Sequence, residues 1–223
     1  MEKRPLGKPS TLLLDGAHAY ANDAGTILAG CPRFELTASE PHFRRSFLGI
    51  KLLAVEHGFV VVRSTPEGLA RSIVTCEAGP GRVLLPPSND EVLCGLTASR
   101  LVGITPEARD RLFEIPVAAL ALLEQLEIAL SQEHEALGNF AHTRHIERVR
   151  RKLLQLARRY GRVMRDGIRL DFPVSHTLLA DMVGSSRETV TRALDELQRT
   201  GFVARRGDTY RLLVKPEELL GQM

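Results

Sequence analysis

The chain has 223 residues, 43% of them hydrophobic and 26% charged, with a formal net charge of +3. That length holds two modest domains, or one large one, of an ordinary soluble globular protein. It contains no run of eighteen apolar residues, which excludes a membrane-spanning helix. The opening Met1-Glu2-Lys3-Arg4-Pro5 lacks the apolar core of a signal peptide, so a cytoplasmic location is expected.

Cys31, Cys76 and Cys94 are odd in number and widely spaced. A disulfide framework pairs its cysteines, and zinc or iron–sulfur sites cluster theirs, so buried thiols are expected; a redox-sensing thiol is the alternative. The net charge hides an asymmetry. From Asn139 onward there are 17 Lys and Arg against 10 Asp and Glu, a balance of +7, while the residues before it sum to −4. A basic C-terminal part on an acidic N-terminal part suits a DNA-binding module attached to a sensor or dimerisation module.

In chain order, residues from about Thr11 to Arg111 read mainly as short strands. Leu52–Val55, Phe59–Val62 and Ser72–Thr75 are β-rich, with turns at Glu56-His57-Gly58 and Thr65-Pro66-Glu67-Gly68. Pro80, Pro86 and Pro87 exclude helix around Ala78–Asn89, and Glu91–Val102 reads as more strand. Many short strands at this spacing indicate a sandwich or barrel.

From Pro116 the pattern becomes helical. Val117–Leu137 has no Gly or Pro and is rich in Ala, Leu, Glu and Gln, giving a helix about 30 Å long at ~1.5 Å per residue. Ala119, Leu123, Leu126, Leu130, Glu133 and Leu137 recur at alternating steps of four and three, the spacing of a coiled-coil seam. Leu123, Leu126, Leu130 and Leu137 are the candidate dimer contacts, while Leu120, Leu122 and Ile128 offer a second apolar face to cover the sheet. Gly138-Asn139 is expected to break the helix as a hinge. His142–Tyr160 resumes as a basic helix with Ile146, Val149, Leu153, Leu154 and Leu156 on its apolar side. Ile168–Phe172 alternates as a strand.

Leu178 to Leu194 then reads as two short amphipathic helices joined at Gly184. Ser175 is the expected N-cap of the first; Ser185 or Ser186 caps the second, and Ser185 with Glu188 has capping-box spacing. Leu178, Leu179 and Met182 face inward from the first helix, and Val190, Leu194 and Leu197 form the buried stripe of the second. Arg187, Glu188 and Arg192 lie off that stripe, spread over about 140° at about 100° per residue. Arg can grip guanine O6 and N7 with two hydrogen bonds and Glu can accept from cytosine N4, so these three are the candidate base readers. Ser186 and Thr189, with Ser175, His176 and Thr177 at the start of the first helix, are the candidate phosphate contacts, which fix register without reading sequence. Phe202–Arg205, the turn Arg206-Gly207-Asp208 and Thr209–Leu213 close the chain as a hairpin, which completes a winged helix-turn-helix.

Gly184-Ser185-Ser186-Arg187-Glu188-Thr189-Val190-Thr191-Arg192 resembles, almost letter for letter, the recognition motif of the cyclic AMP receptor/fumarate–nitrate regulator (CRP/FNR) family of bacterial transcription factors. The resemblance runs the length of the chain. It implies an α+β fold in three parts: an antiparallel β-roll (jelly-roll) sensor-like domain at 1–115, a dimerisation helix at 116–138 and a winged helix-turn-helix domain at 139–223. It further implies a homodimer on double-stranded DNA, reading an inverted repeat of TGTGA-like half-sites through Arg187, Glu188 and Arg192. The Arg158–Asp166 stretch is, by the same resemblance, a candidate contact for RNA polymerase.

The N-terminal half departs from the family. Cyclic-nucleotide-binding members carry a Gly-Glu pair, a short helix, and then Arg-Ser or Arg-Thr on the cyclic phosphate. Here Gly79–Asp90 is shorter, has no Gly-Glu, and places Asn89-Asp90 where Arg-Ser would fall. An aspartate repels a phosphate and the arginine fork is missing, so control by cyclic AMP is not expected.

No cofactor or metal is expected either: the cysteines are too few for the iron–sulfur version, and His18, His42 and His57 lack the His-x-His spacing of a jelly-roll metalloenzyme. Cys76 with His134 or His142 marks the haem-sensor alternative. Glu133 and His134 fall where relatives contact the purine and are the candidate effector pocket; Arg44, Arg45 and Arg63 are a weaker anion-site candidate. With neither a nucleophile elbow nor a phosphate loop, the chain is not expected to be an enzyme. A jelly-roll protein acting through protein contacts without DNA is the reading from a different class.

Overall fold

The computed structural model describes residues 21–65, 67, 71–207 and 209–215, with the side chains of residues 21, 22, 133, 136, 137 and 140 outside that description. Pro66 and Gly68 of the second expected turn and Asp208 of the wing turn therefore lie outside the described residues. The chain divides into two compact units within its long helix, between His134 and Glu135.

The N-terminal unit stacks two antiparallel sheets. One joins β1 (Arg33–Leu36), β8 (Ser99–Ile104), β3 (Leu52–His57) and β6 (Val83–Leu84); the other joins β2 (Pro41–Phe43), β7 (Glu91–Gly95), β4 (Val60–Ser64) and β5 (Ile73–Ala78). Side chains alternate faces along a strand, and the alternation decides the layering. Leu53, Val55 and Leu101 of the first sheet meet Val60, Val62 and Leu93 of the second in one buried core. Ala54, Val102 and Ile104 point the other way, onto helices.

Two of those helices stand where strands or loops were expected. Helix α1 (Ala21–Ala29) buries Ala24, Ile27 and Leu28 against the sheet. Helix α2 (Pro106–Phe113) starts at an N-cap, Thr105, whose hydroxyl accepts from Ala108 N at 3.2 Å, with Pro106 in the first turn. Thr105 and Pro106 are local helix-start signals.

The β3–β4 connection, which passes from one sheet to the other, turns through Gly58 at φ +83°, where a Cβ would stand 2.2 Å from Ser99 Oγ and 2.5 Å from Ala98 O. The turn thus demands both the conformation and the size of glycine. Gly58→Ala is expected to cost about 1–3 kcal/mol, read as a lower urea midpoint for unfolding. An unchanged midpoint would mean that the turn relaxes freely.

Helix α3 (Pro116–Phe140) is 25 residues long and runs through Gly138 and Asn139 without a break. The expected hinge at Gly138-Asn139 is therefore corrected to continuous helix, ending just beyond it. Glycine inside a helix costs only about 1 kcal/mol, and Asn139 compensates by reaching across: its Nδ2 donates to Arg148 O at 3.2 Å, and its side chain is buried. On the N-terminal unit, Ala118, Ala121, Leu122 and Gln125 of α3 face the protein and are buried. Leu120 does not cover the sheet as expected; it is 61% exposed, on the same side as Leu123, Leu126 and Leu130.

The C-terminal unit contains α4 (His145–Tyr160), α5 (His176–Val183) and α6 (Arg187–Arg199) with a four-stranded sheet ordered β11 (Val203–Arg206), β12 (Thr209–Leu212), β10 (Gly167–Leu170) and β9 (Gly161–Met164). Strand β9 was not expected from the sequence; it forms because β10 needs a partner on its free edge, and Gly161 lets the chain leave α4 where a Cβ would stand 2.2 Å from Ala157 O. Val149, Leu153 and Leu156 of α4 pack fully buried, whereas Ile146 and Leu154 are only half-buried. No helix among the described residues is long and apolar enough to cross a membrane.

Candidate nucleic-acid interface

Helix α5 starts as its sequence demands. Ser175 Oγ accepts from Leu178 N at 3.0 Å, which satisfies one of the free amides of the first turn. Leu178, Leu179, Met182 and Val183 are buried, and Gly184 ends the helix in the left-handed region at φ +61°. The next helix is capped by Ser186, not Ser185: Ser186 Oγ accepts from Thr189 N at 3.1 Å and also bonds Thr189 Oγ1 at 2.9 Å. Ser185 instead is buried and pairs with His145 Nδ1 at 2.5 Å, which fixes the start of α6 to the start of α4.

Val190, Ala193, Leu194 and Leu197 are buried along one side of α6. That stripe fixes the rotation of the helix, so Arg187, Glu188 and Arg192 are held together on its exposed side. Of the phosphate candidates, Ser175 and Thr177 are exposed, and Ser186 and Thr189 are half-buried. His176 is half-buried and turns both ring nitrogens toward protein partners: Nδ1 lies 2.8 Å from Thr191 Oγ1, and Nε2 lies 3.0 Å from Arg205 Nη1. Arg205 and Arg206 stand exposed on the wing strand β11. In the sequence Arg205 is only part of a strand, because its link to His176 spans 29 positions and leaves no local signal.

This surface combines a rotationally fixed helix carrying two arginines and a glutamate with basic side chains on an adjoining hairpin. Such a set can hydrogen-bond base edges and neutralise phosphates. Residues 147–222 match the family described as Crp-like helix-turn-helix domain. The C-terminal unit is a Crp-like helix-turn-helix domain.

The chain is also similar to curated regulators over part of its length. Over 98 residues it is 33% identical to the "Global nitrogen regulator" of Synechocystis sp., covering 44% of each chain. Over 128 residues it is 29% identical to the "CRP-like cAMP-activated global transcriptional regulator" of Mycobacterium tuberculosis, covering 57% of this chain and 56% of that one. The alignments thus span about half the length of these relatives. A solved structure of a CooA mutant from Carboxydothermus hydrogenoformans superposes with a TM-score of 0.75 at 15% identity, covering 96% of this chain and 94% of that one. That likeness establishes the fold. The CRP/FNR resemblance and the α+β class read from the sequence are both borne out.

The N-terminal unit answers the sensor expectations in part. A small cleft there is lined by Cys76, Glu77 and Arg82 from the sheets and by Gln125, Ile128 and Gln132 from α3. Its free volume is about 10 Å³, room for about one water. His134 is exposed and is not among the lining residues, and the Glu133 side chain lies outside the described residues. Arg82 carries no local sequence signal, since its place in the cleft depends on residues of α3 distant in the chain. The 88–91 segment is saturated with acceptors: Asp90 Oδ1 accepts from Ser88 Oγ at 2.7 Å, and Glu91 Oε2 accepts from Ser88 N at 3.0 Å and from Ser88 Oγ at 2.9 Å. The Ser88 hydroxyl holds the Asp90 carboxyl below the usual carboxylate range, so the segment stays anionic.

Cys31 and Cys94 are buried, and burial pushes both thiols up, away from the thiolate that redox sensing requires. Cys76 is half-buried. Arg44 and Arg45 are exposed on a short 3₁₀ turn, residues 44–47, whereas Arg63 sits half-buried on β4.

Proposed function

We propose that the chain is a homodimeric transcriptional regulator that binds double-stranded DNA in a sequence-specific way, with the Crp-like domain as its reading head. The observation that carries this reading is the exposed trio Arg187, Glu188 and Arg192, held at one rotation by the buried stripe of α6 inside a domain of that family. By their chemistry the arginines address guanine and the glutamate addresses cytosine, which suits TGTGA-like half-sites. Ser175, Thr177, Ser186 and Thr189 supply hydroxyls toward the backbone. The exposed leucines of α3 supply the second half of a two-fold reader, since an inverted repeat needs two heads. The action takes place in the cytoplasm, and RNA polymerase is a further partner through the Arg158–Asp166 stretch.

Regulation does not run through cyclic AMP in this reading. The donors of Ser88 are occupied by the carboxylates of Asp90 and Glu91, which leaves the segment anionic. The cleft under α3 holds about one water, far below the size of a nucleotide.

Fluorescence anisotropy with a duplex carrying a TGTGA inverted repeat tests both statements. Binding should exceed that of a scrambled duplex by about 10³-fold or more, and saturating cyclic AMP should leave it within twofold. Equal affinity for both duplexes would remove the specificity, and a large gain on adding cyclic AMP would overturn the sensor reading.

A further inference from the structure

The wing and the two helices of the reading head are connected by a single chain of directed hydrogen bonds through His176. Arg205 Nη1 can only donate, so the His176 Nε2 it meets at 3.0 Å must present a lone pair. The neutral ring then carries its proton on Nδ1 and donates to Thr191 Oγ1 at 2.8 Å. Thr191 Oγ1 in turn donates to Arg187 O at 2.9 Å. The order is therefore wing, α5, α6, ending on the backbone of a candidate base reader. Arg205 is further fixed by its Nε, which donates to Gly207 O at 2.8 Å, and by the face of the buried Tyr210 ring, 5.8 Å from the guanidinium carbon.

We propose that neutral His176 is a positioning residue: it anchors the Arg205 guanidinium at the edge of the DNA-reading surface, ready for a backbone phosphate, and a second proton on the ring opens that anchor. The inference rests on the DNA-binding reading above. Protonation removes the lone pair that Arg205 Nη1 meets, and it sets one cation against another. The groups facing the ring are Arg205 from the wing, Arg187, Thr191 and Asp195 from α6, and its own helix start. Burial, then Arg205 and Arg187, hold the ring below the usual histidine value, with Asp195 opposing. The ring is thus neutral at pH 7, and the anchor is lost only at a pH below the usual histidine range. His176 acts on DNA through Arg205 and not as a phosphate contact of its own.

The test compares operator affinity at pH 7.5 and pH 5.5, at fixed ionic strength, in wild-type protein and in His176→Gln. Glutamine offers an acceptor near the place of Nε2 and does not titrate. Wild-type affinity should fall about tenfold on acidification, as when one charged contact is lost, while the His176→Gln ratio stays near one. A wild-type affinity that rises on acidification, with the rise abolished in His176→Gln, would make His176 a cationic phosphate contact and overturn the anchor. Equal ratios in the two proteins would overturn it too.

Nitrogen NMR on the DNA-free protein gives a second readout. His176 should be the Nδ1–H tautomer, and Arg205→Gln should move its titration midpoint upward; an Nε2–H tautomer would refute the anchor. Failure to retain any duplex at either pH strikes the DNA-binding reading instead, and the tautomer still decides the His176–Arg205 link.

Discussion

Replacing Leu126 and Leu130 together with glutamine should turn a dimer into a monomer at micromolar concentration and abolish operator binding. Leu120, Leu123, Leu126 and Leu130 are 61%, 49%, 47% and 55% exposed in the single chain, while Ala118, Ala121 and Leu122 on the opposite side are buried. A helix with an apolar inner face and an apolar outer face has a second surface to cover. Burying a leucine fully contributes about 1.5–3 kcal/mol, so completing a half-buried one contributes ~1 kcal/mol. Two such residues on each of two protomers amount to ~4 kcal/mol, or about 10³-fold in the dimer dissociation constant. Light scattering or sedimentation across a concentration series reads this directly. A variant that keeps the wild-type dimer mass at all concentrations would refute the leucine seam. Because a monomer engages one half-site only, operator affinity should fall with dimer mass.

Arg187→Ala should weaken specific binding by about 1–3 kcal/mol and relax the preference at one base pair of each half-site, leaving non-specific binding nearly as before. The physical reason is the bidentate fork. Two parallel N–H donors match guanine O6 and N7, and no other base pair presents that pair of acceptors in the major groove. Arg187 is the first residue of α6, exposed, and its backbone carbonyl is held by Thr191. Alanine in its place keeps the Ser186 cap and the buried stripe, so folding is spared. The readout is a set of duplexes mutated one base pair at a time. Unchanged selectivity at every position would take the base-reading role from Arg187, whereas a uniform loss on all duplexes would make it a phosphate contact.

How much of this was legible before the fold depended on the range of the interaction. The reading head was legible because its determinants are local: Ser175 caps Leu178, Gly184 takes the left-handed turn, and Val190, Leu194 and Leu197 recur at helical spacing. Even there a choice between adjacent serines was settled only by the long-range contact of Ser185 with His145. Helix α2 carries a local Thr-Pro start inside a stretch otherwise rich in strand signals, and α1 is a short helix whose buried Ala24, Ile27 and Leu28 make sense only once the sheet they cover is known. The Gly138-Asn139 break failed for the opposite reason. Glycine is a local signal, and a tertiary bond from Asn139 to Arg148 outweighed it. Arg82 in the cleft and Arg205 on His176 were invisible to any pattern argument, since each gains its meaning from residues distant in sequence.

Selection of bound sites from a pool of random duplex DNA tests the central claim most directly. The expected product is an inverted repeat of two TGTGA-like half-sites with centres about one helical turn, roughly 10–10.5 base pairs, apart, and the Arg187→Ala protein should lose preference at one position in each half. Recovery of an unrepeated motif, or of no motif above the starting pool, would contradict a two-fold reader built on α6.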